Sequence, residues 1–154
     1  MKPLIIPFII SLLLLGGCRT YKDPQMYHSF APRALSVEAD DTYVIRVQGK
    51  GLTRDDAVTN AQINALRDVI FKDIQVTFGD HKTLMRLINN PSAEQKHSEF
   101  FSGFFSEPAN YGRFIVPEKK NREFFSSPNS KTVLLNVKVK RKELRDYLKD
   151  MGVL

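Results

Sequence analysis

The stretch from Arg54 to Lys72 constrains the fold of this chain most, because its residues have the spacing of an amphipathic helix. At 100° per residue, its small and apolar side chains fall within an arc of roughly 200°. These residues are Val58, Ala61, Ile63, Ala65, Leu66, Val69 and Ile70. The polar residues outside the arc are Asn60, Asn64, Arg67 and Asp68. Two alanines at one edge predict a close approach of this helix to a sheet.

A strand is predicted directly before this helix, since Tyr43–Gln48 alternates apolar and polar residues with a period of two. Gly49-Lys50-Gly51 ends the strand, and Thr53 has the hydroxyl preferred at an N-cap. Asp56 occupies the position where a capping box has Glu. The glycine pattern lacks the third glycine of a dinucleotide motif and the Gly-Lys-Ser/Thr of a P-loop. We therefore interpret it as a strand-to-helix turn.

The middle of the chain predicts a short strand, 74–78, followed by helical spacing in 83–89. Ser92 is then a candidate cap for another helix. Its apolar residues are Phe100, Phe101, Phe104 and Phe105. Four phenylalanines at this spacing favour a core face, and an exposed aromatic patch for lipid or a partner is the alternative.

The C-terminal part predicts strands at 111–116 and 133–139, separated by a charged and turn-rich loop, 118–130. A last helix is expected from about Lys142 to Met151, with Gly152 after it. Helices on one face of a small sheet would bury every apolar stripe. The predicted fold class is α+β, with a small, mainly antiparallel sheet and helices packed on one face.

The first 18 residues have the layout of a secretory signal peptide. Met1-Lys2 is basic, Leu4–Leu15 is mostly apolar, and Gly16-Gly17 precedes Cys18. The apolar run is too short to span a bilayer core as a helix. Leu15-Gly16-Gly17-Cys18 resembles the bacterial lipobox, in which the cysteine sulfur receives a diacylglycerol before cleavage. Cys18 is thus the expected lipid attachment site; a secreted protein with a coincidental cysteine is the alternative.

These features divide the chain into a lipoprotein signal peptide (1–17), a lipidated N-terminus and flexible tether (18–40), and one globular domain (41–154). Pro24 and Pro32 interrupt the tether, which shows no helical or strand periodicity. Cys18 is the only cysteine, so no internal disulfide supports the fold.

The chain carries a net charge of +6, which falls to about +5 without the leader. A basic balance favours acidic partners. Export argues against nucleic acid, so anionic lipid head groups or lipopolysaccharide phosphates are the better candidates. Simple solvated surface charge is the alternative.

We find no motif for catalysis, a cofactor or a metal. His28, His81 and His97 lack paired ligand spacing, and no Gly-x-Ser-x-Gly elbow is present. The Asp55-Asp56 pair is explained by the dipole at a helix N-terminus. We therefore expect a protein that is not an enzyme.

Gly49-x-Gly51 after a strand, followed by Ala57-x-x-x-Ala61-x-x-x-Ala65-Leu66 on a helix, resembles the LPP-twenty family of bacterial envelope lipoproteins. The same module resembles the N-terminal domain of the flagellar assembly protein FlgT. The strand and helix of 133–151 fit the pattern, whereas 75–110 is longer and richer in Phe. The resemblance implies a lipid-anchored α+β domain at the outer membrane, in a scaffolding or assembly role without a catalytic site.

We accordingly expect a lipid-anchored lipoprotein of the cell outer membrane that acts as a non-catalytic scaffold or interaction module. Its partners would be the membrane, through the lipid, and an unidentified envelope protein or anionic envelope component. Arg19 agrees with an outer-membrane destination, since Asp at this position marks inner-membrane retention in some bacteria. The alternative is a carrier that holds a lipid or glycan on the face of 100–105.

Overall fold

The computed structural model describes residues 30–80 and 83–154. Within these ranges it contains seven strands in one sheet, five α-helices and a short 3-10 helix, Gly112–Phe114. The strands are β1 (Arg33–Val37), β2 (Thr42–Gly51), β3 (Ile74–Val76), β4 (Thr83–Leu84), β5 (Ile115–Pro117), β6 (Glu123–Ser127) and β7 (Ser130–Lys140). The helices are α1 (Arg54–Phe71), α2 (Ala93–Lys96), α3 (Ser98–Ser106), α4 (Pro108–Tyr111) and α5 (Arg141–Asp150). The predicted leader, Cys18 and the tether up to residue 29 lie outside the described residues.

The sheet is built around the long antiparallel pair of β2 and β7, which runs in register from Thr42 opposite Lys140 to Gly51 opposite Lys131. The strand order is β4-β3-β1-β2-β7-β5, and β6 also pairs with β7. Every pair is antiparallel except β1 with β3. The predicted α+β class with a mainly antiparallel sheet is confirmed.

Helix α1 lies so close to β2 that only glycine fits between them. A Cβ atom on Gly49 would stand 2.1 Å from the carbonyl oxygen of Ala57 and 2.3 Å from the amide nitrogen of Ala61. A Cβ on Gly51 would stand 2.4 Å from the Cβ of Asp56. The small residues of the sequence pattern therefore create a close helix–strand contact, and the Gly-Lys-Gly motif is a packing feature of the strand-to-helix turn.

The start of α1 is fixed by a complete capping box. The backbone N–H of Asp56 donates to the Thr53 hydroxyl at 3.1 Å, and the backbone N–H of Thr53 donates to the Asp56 carboxylate at 2.9 Å. These two bonds satisfy N–H groups that a helix leaves free at its first turn. Asp56 thus completes the capping box at a position where glutamate is the usual residue. The predicted helix is confirmed, and its observed end lies one residue before the predicted end.

The apolar faces of the helices meet one side of the sheet in a single core. Alternate residues of the central strands point into it: Ile45 and Val47 from β2, and Val133, Leu135, Val137 and Val139 from β7. Leu144 and Leu148 of α5 and the phenylalanines of α3 belong to the same cluster. Helices on one face of the sheet, as predicted, are therefore what bury these residues.

The other face of the sheet is also covered in part, by residues 118–123. Arg46 donates to the Asn136 side chain at 3.1 Å and forms an ion pair with Glu123, and Asn136 donates to Glu118 at 3.2 Å. Leu134 is buried too, although the simple alternation of β7 placed it on an open face. The network satisfies polar groups that would otherwise be buried without partners.

The predicted tether, 18–40, is too long, because β1 occupies Arg33–Val37 and pairs with both β2 and β3. Ala34 is fully buried, whereas the rest of this strand is exposed. The register shifts between Ala34 and Ser36, so a bulge interrupts the alternation that would reveal a strand in the sequence. The ordered fold therefore begins before residue 41.

Three further predictions are corrected. Residues 83–89 are not helical: after β4, the backbone N–H groups of Leu87 and Ile88 donate to the Val69 and Ile70 carbonyls at 3.1 and 2.9 Å. They thereby satisfy carbonyls that the last turn of α1 leaves free. The loop predicted for 118–130 contains β6, and the strand predicted for 111–116 is mostly helical turn before β5.

Gly49→Ala should destabilise the protein by about 3 kcal/mol, because the added methyl group overlaps the backbone of α1. Gly103→Ala is the matched control: its site in α3 is open, so the change should be neutral or stabilise by up to about 1 kcal/mol. Urea unfolding followed by circular dichroism measures both. Equal unfolding midpoints for the two variants would contradict the close contact.

Candidate functional site

The predicted lipid attachment site, Cys18, lies outside the described residues. The candidate sites of the described domain are three other features. They are the phenylalanine cluster of α3, the groove beside β2, and the exposed end of the sheet at Leu52. The first was identified from the sequence, and the other two were not.

The phenylalanine cluster belongs to the core. Phe101, Phe104 and Phe105 are buried, and Phe100 is half-buried. The rings contact one another edge-on or stacked, with centroids 5.0 Å apart for Phe104 and Phe105 and 5.8 Å apart for Phe100 and Phe104. Such arrangements are those that aromatic pairs prefer. The interpretation of this stripe as a core face is confirmed.

Two arginines lie against aromatic rings at the edge of the core, one over a phenylalanine of α3 and the other over a ring next to the cluster. The guanidinium of Arg67 stacks 4.5 Å from the Phe105 ring centre and also pairs with Glu94. The guanidinium of Arg113 lies 4.4 Å from the ring centre of Tyr147. Cation–π contacts of this kind favour the observed positions. A ligand approaching Phe105 from the side of Arg67 would have to displace that arginine.

The groove beside β2 begins where β1 stops pairing with it. Among the described residues, β1 pairs with β2 only from Tyr43 to Arg46. Further along β2, side chains of α1 replace the missing strand: Asn64 donates to the Gln48 carbonyl at 2.9 Å and Asn60 to the Lys50 carbonyl at 2.7 Å. These two asparagines, predicted as part of the polar face of α1, therefore satisfy carbonyls on an exposed strand edge.

A cavity of about 260 Å³ lies beside this edge. Its walls include Phe30 and Pro32 from the N-terminal segment, Gln48 from β2, and Arg67 and Asp68 from α1. The sequence could not predict this site, because residues 30–32 were assigned to the tether. Its lining combines apolar rings with charged groups, so it is a groove of mixed polarity.

Asp68 is the unusual group of this groove, since only 8% of its surface is exposed although the sequence placed it outside the apolar arc. Burial raises the pKa of its carboxyl group, and Lys72, whose ammonium lies 2.8 Å away, acts in the opposite direction. A raised pKa in the folded state means that folding is favoured when Asp68 is protonated. The stabilising contribution of protonated Asp68 to the free energy of unfolding is present at pH values below the unfolded pKa of 3.8. It is lost as the pH rises through the folded pKa.

Asp68→Asn should therefore raise the free energy of unfolding at pH 7, and the gain should shrink toward pH 3. The amide removes a buried charge, while Lys72 remains hydrated because its side chain is mostly exposed. Urea unfolding at both pH values measures the effect, with the exposed Asp80→Asn as control. If Asp68→Asn lost more stability at pH 7 than at pH 3, the claim that the buried charge of Asp68 destabilises the fold would be contradicted.

The third feature is the end of the sheet where β2 passes into α1, which we call the Leu52 end and define as Lys50, Leu52, Arg54, Phe124 and Lys131. Leu52 is 80% exposed, and Phe124 is partly exposed beneath the Arg54 guanidinium, 5.2 Å from its ring centre. Among the described residues, no ion pair holds Lys50, Arg54 or Lys131. Apolar and cationic side chains thus stand together at this end.

The described residues, 30–80 and 83–154, contain no cluster of three or more His, Cys, Asp or Glu side chains arranged to hold a metal ion. In the same ranges, no helix has the length and apolar character needed to cross a membrane. His97 lies between α2 and α3, where it is both the C-cap residue of α2 and the N-cap residue of α3.

Comparison of the chain with protein-family models, with curated proteins and with solved structures finds no match. The resemblance to the LPP-twenty family remains a prediction from the residues quoted above.

Proposed function

We propose that this chain is a lipid-anchored lipoprotein of the bacterial cell envelope, attached to the outer membrane, whose domain is a non-catalytic scaffold or interaction module. The observation that carries the proposal is Leu15-Gly16-Gly17-Cys18 at the end of a short apolar run with a basic start. The only cysteine of the chain stands at the position that lipid attachment requires.

The energetics of the anchor support a lasting attachment. Each buried CH₂ of an acyl chain contributes about 0.8 kcal/mol, so one chain holds a protein only transiently, whereas the two or three chains of a lipoprotein hold it stably. From Cys18 to Phe30, the start of the described domain, are about 12 residues. A flexible segment of that length spans about 19 Å on average, so the domain stays near the membrane surface.

An interaction role is supported by the kinds of surface that the domain presents. The Leu52 end combines an exposed leucine with cations that form no ion pair within residues 30–80 and 83–154, and the groove beside β2 combines a strand edge with charged side chains. Surfaces of this mixed kind suit an envelope protein or an anionic envelope component. Nucleic acid is not among the proposed partners, because the proposed location is outside the cytoplasm.

A lipid or glycan carrier is not favoured, because the aromatic face on which it would depend is occupied by its own rings. Phe101 and Phe104 are buried against neighbouring aromatic residues, and the Arg67 guanidinium lies over Phe105. Opening that face would cost the contacts that hold α3 on the core.

The anchor is tested by feeding labelled palmitate to cells that express the wild-type chain or Cys18→Ala. The wild type should take up label and fractionate with the outer membrane, because a thioether-linked diacylglycerol requires the sulfur of Cys18. Cys18→Ala should take up no label.

Gly103→Ala serves as the matched control, since it lies far along the chain from the lipobox and occupies an open site. It should be labelled like the wild type. Equal label in the wild type and Cys18→Ala would remove the lipidation proposal.

A further inference from the structure

We propose that the Leu52 end is a membrane-docking surface, which contacts the head groups of an anionic phospholipid bilayer while the lipid at Cys18 holds the chain there. This inference rests on the proposed lipid anchor. It adds the orientation of the domain and the residues that meet the bilayer.

The first argument is the direction in which the chain enters the domain. Arg33 of β1 pairs with Arg46 of β2 in antiparallel register, and Phe30 and Pro32 line the same cavity as Gln48. Moving back along the chain from Arg33 to Phe30 therefore means moving along β2 toward Gly51, the residue before Leu52. The described chain thus begins at Phe30, in the same cavity as Gln48, on the side of the domain that faces the Leu52 end.

The second argument is length. As the flexible tether predicted from the sequence, the stretch of about 12 residues between Cys18 and Phe30 would span about 19 Å on average and at most about 40 Å. Strand β2 has 10 residues and separates the two ends of the sheet by about 30 Å. A chain that leaves at the Leu52 end therefore keeps that end closest to the bilayer.

The third argument is chemistry. Leu52 projects from the turn with 80% of its surface exposed, and the partly exposed Phe124 pairs with Val133, which is opposite Gly49 near the same end of the sheet. Lys50 and Lys131 flank them without an ion-pair partner among the described residues, and Arg54 covers the Phe124 ring. The carboxylates of this end are Asp55, which is exposed, and Asp56, which accepts a bond from the Thr53 backbone. Exposed apolar groups flanked by cations match an anionic lipid surface.

The opposite end of the sheet supplies a matched comparison. The Arg141 guanidinium donates to the Met85 carbonyl at 2.9 Å, and Arg141 follows Lys140, which pairs with Thr42 at the start of β2. Met85 is 58% exposed, so it is an apolar side chain in water at the end distant from the proposed bilayer contact.

The chain contains no tryptophan and one thiol, which allows a direct test. Leu52→Trp and Met85→Trp each introduce a single tryptophan. The mature chain from position 18 is coupled through Cys18 to a maleimide phospholipid in phosphatidylcholine vesicles, with or without phosphatidylglycerol. Bromine-labelled lipids then quench any tryptophan that contacts the bilayer. Chemical coupling makes the result independent of whether cells attach a lipid to Cys18.

We expect the tryptophan of Leu52→Trp to be quenched at least about twice as strongly as that of Met85→Trp, and only when phosphatidylglycerol is present. Adding Lys50→Gln and Lys131→Gln should lower the ratio of docked to undocked domain by about fivefold per lysine. Lys96→Gln with Lys149→Gln, at two exposed lysines on α2 and α5, should leave it unchanged. Equal quenching of the two tryptophans, or quenching at position 52 that is indifferent to phosphatidylglycerol, overturns the proposal.

Discussion

The close contact between α1 and β2 is the constraint on which the rest of the structure depends. The backbone of α1 at Ala57 and Ala61 lies directly on Gly49, which leaves no room there for even a Cβ atom. This approach allows Asn60 and Asn64 to reach past the strand and satisfy the carbonyls of Gln48 and Lys50. This contact therefore fixes α1 on the sheet and allows its side chains to cover a strand edge. The turn at Leu52 stays exposed.

The same arrangement connects the fold to the proposed function. Because β1 stops short of the end of β2, residues 30–32 lie beside the strand edge and share a groove with Gln48 and the buried Asp68. From Arg33 back to Phe30 the chain runs in the direction of the exposed turn at Leu52. A chain held by a lipid at Cys18 would thus be held at the end of the domain whose side chains suit a charged, amphiphilic surface.

The parts of the fold that were predictable from the sequence are those in which local pattern and tertiary packing agree. Such cases are the apolar stripe of α1, the alternation in β2 and β7, and the N-cap at Thr53. In each of them the local sequence pattern favours the same structure as the tertiary packing. The failures have long-range causes. Strand β1 contains a bulge, Leu87 and Ile88 turn back to the end of α1, and the buried Asp68 lines a groove shared with Phe30 and Pro32. No window of neighbouring residues carries that information.

The most direct test of the proposed function is the intact mass and N-terminal peptide of the protein purified from bacterial membranes. The account predicts a chain that begins at Cys18, with a diacylglycerol in thioether linkage on its sulfur and further acylation at its amino group. An unmodified chain that begins at another residue, or one that retains the apolar leader, would contradict it.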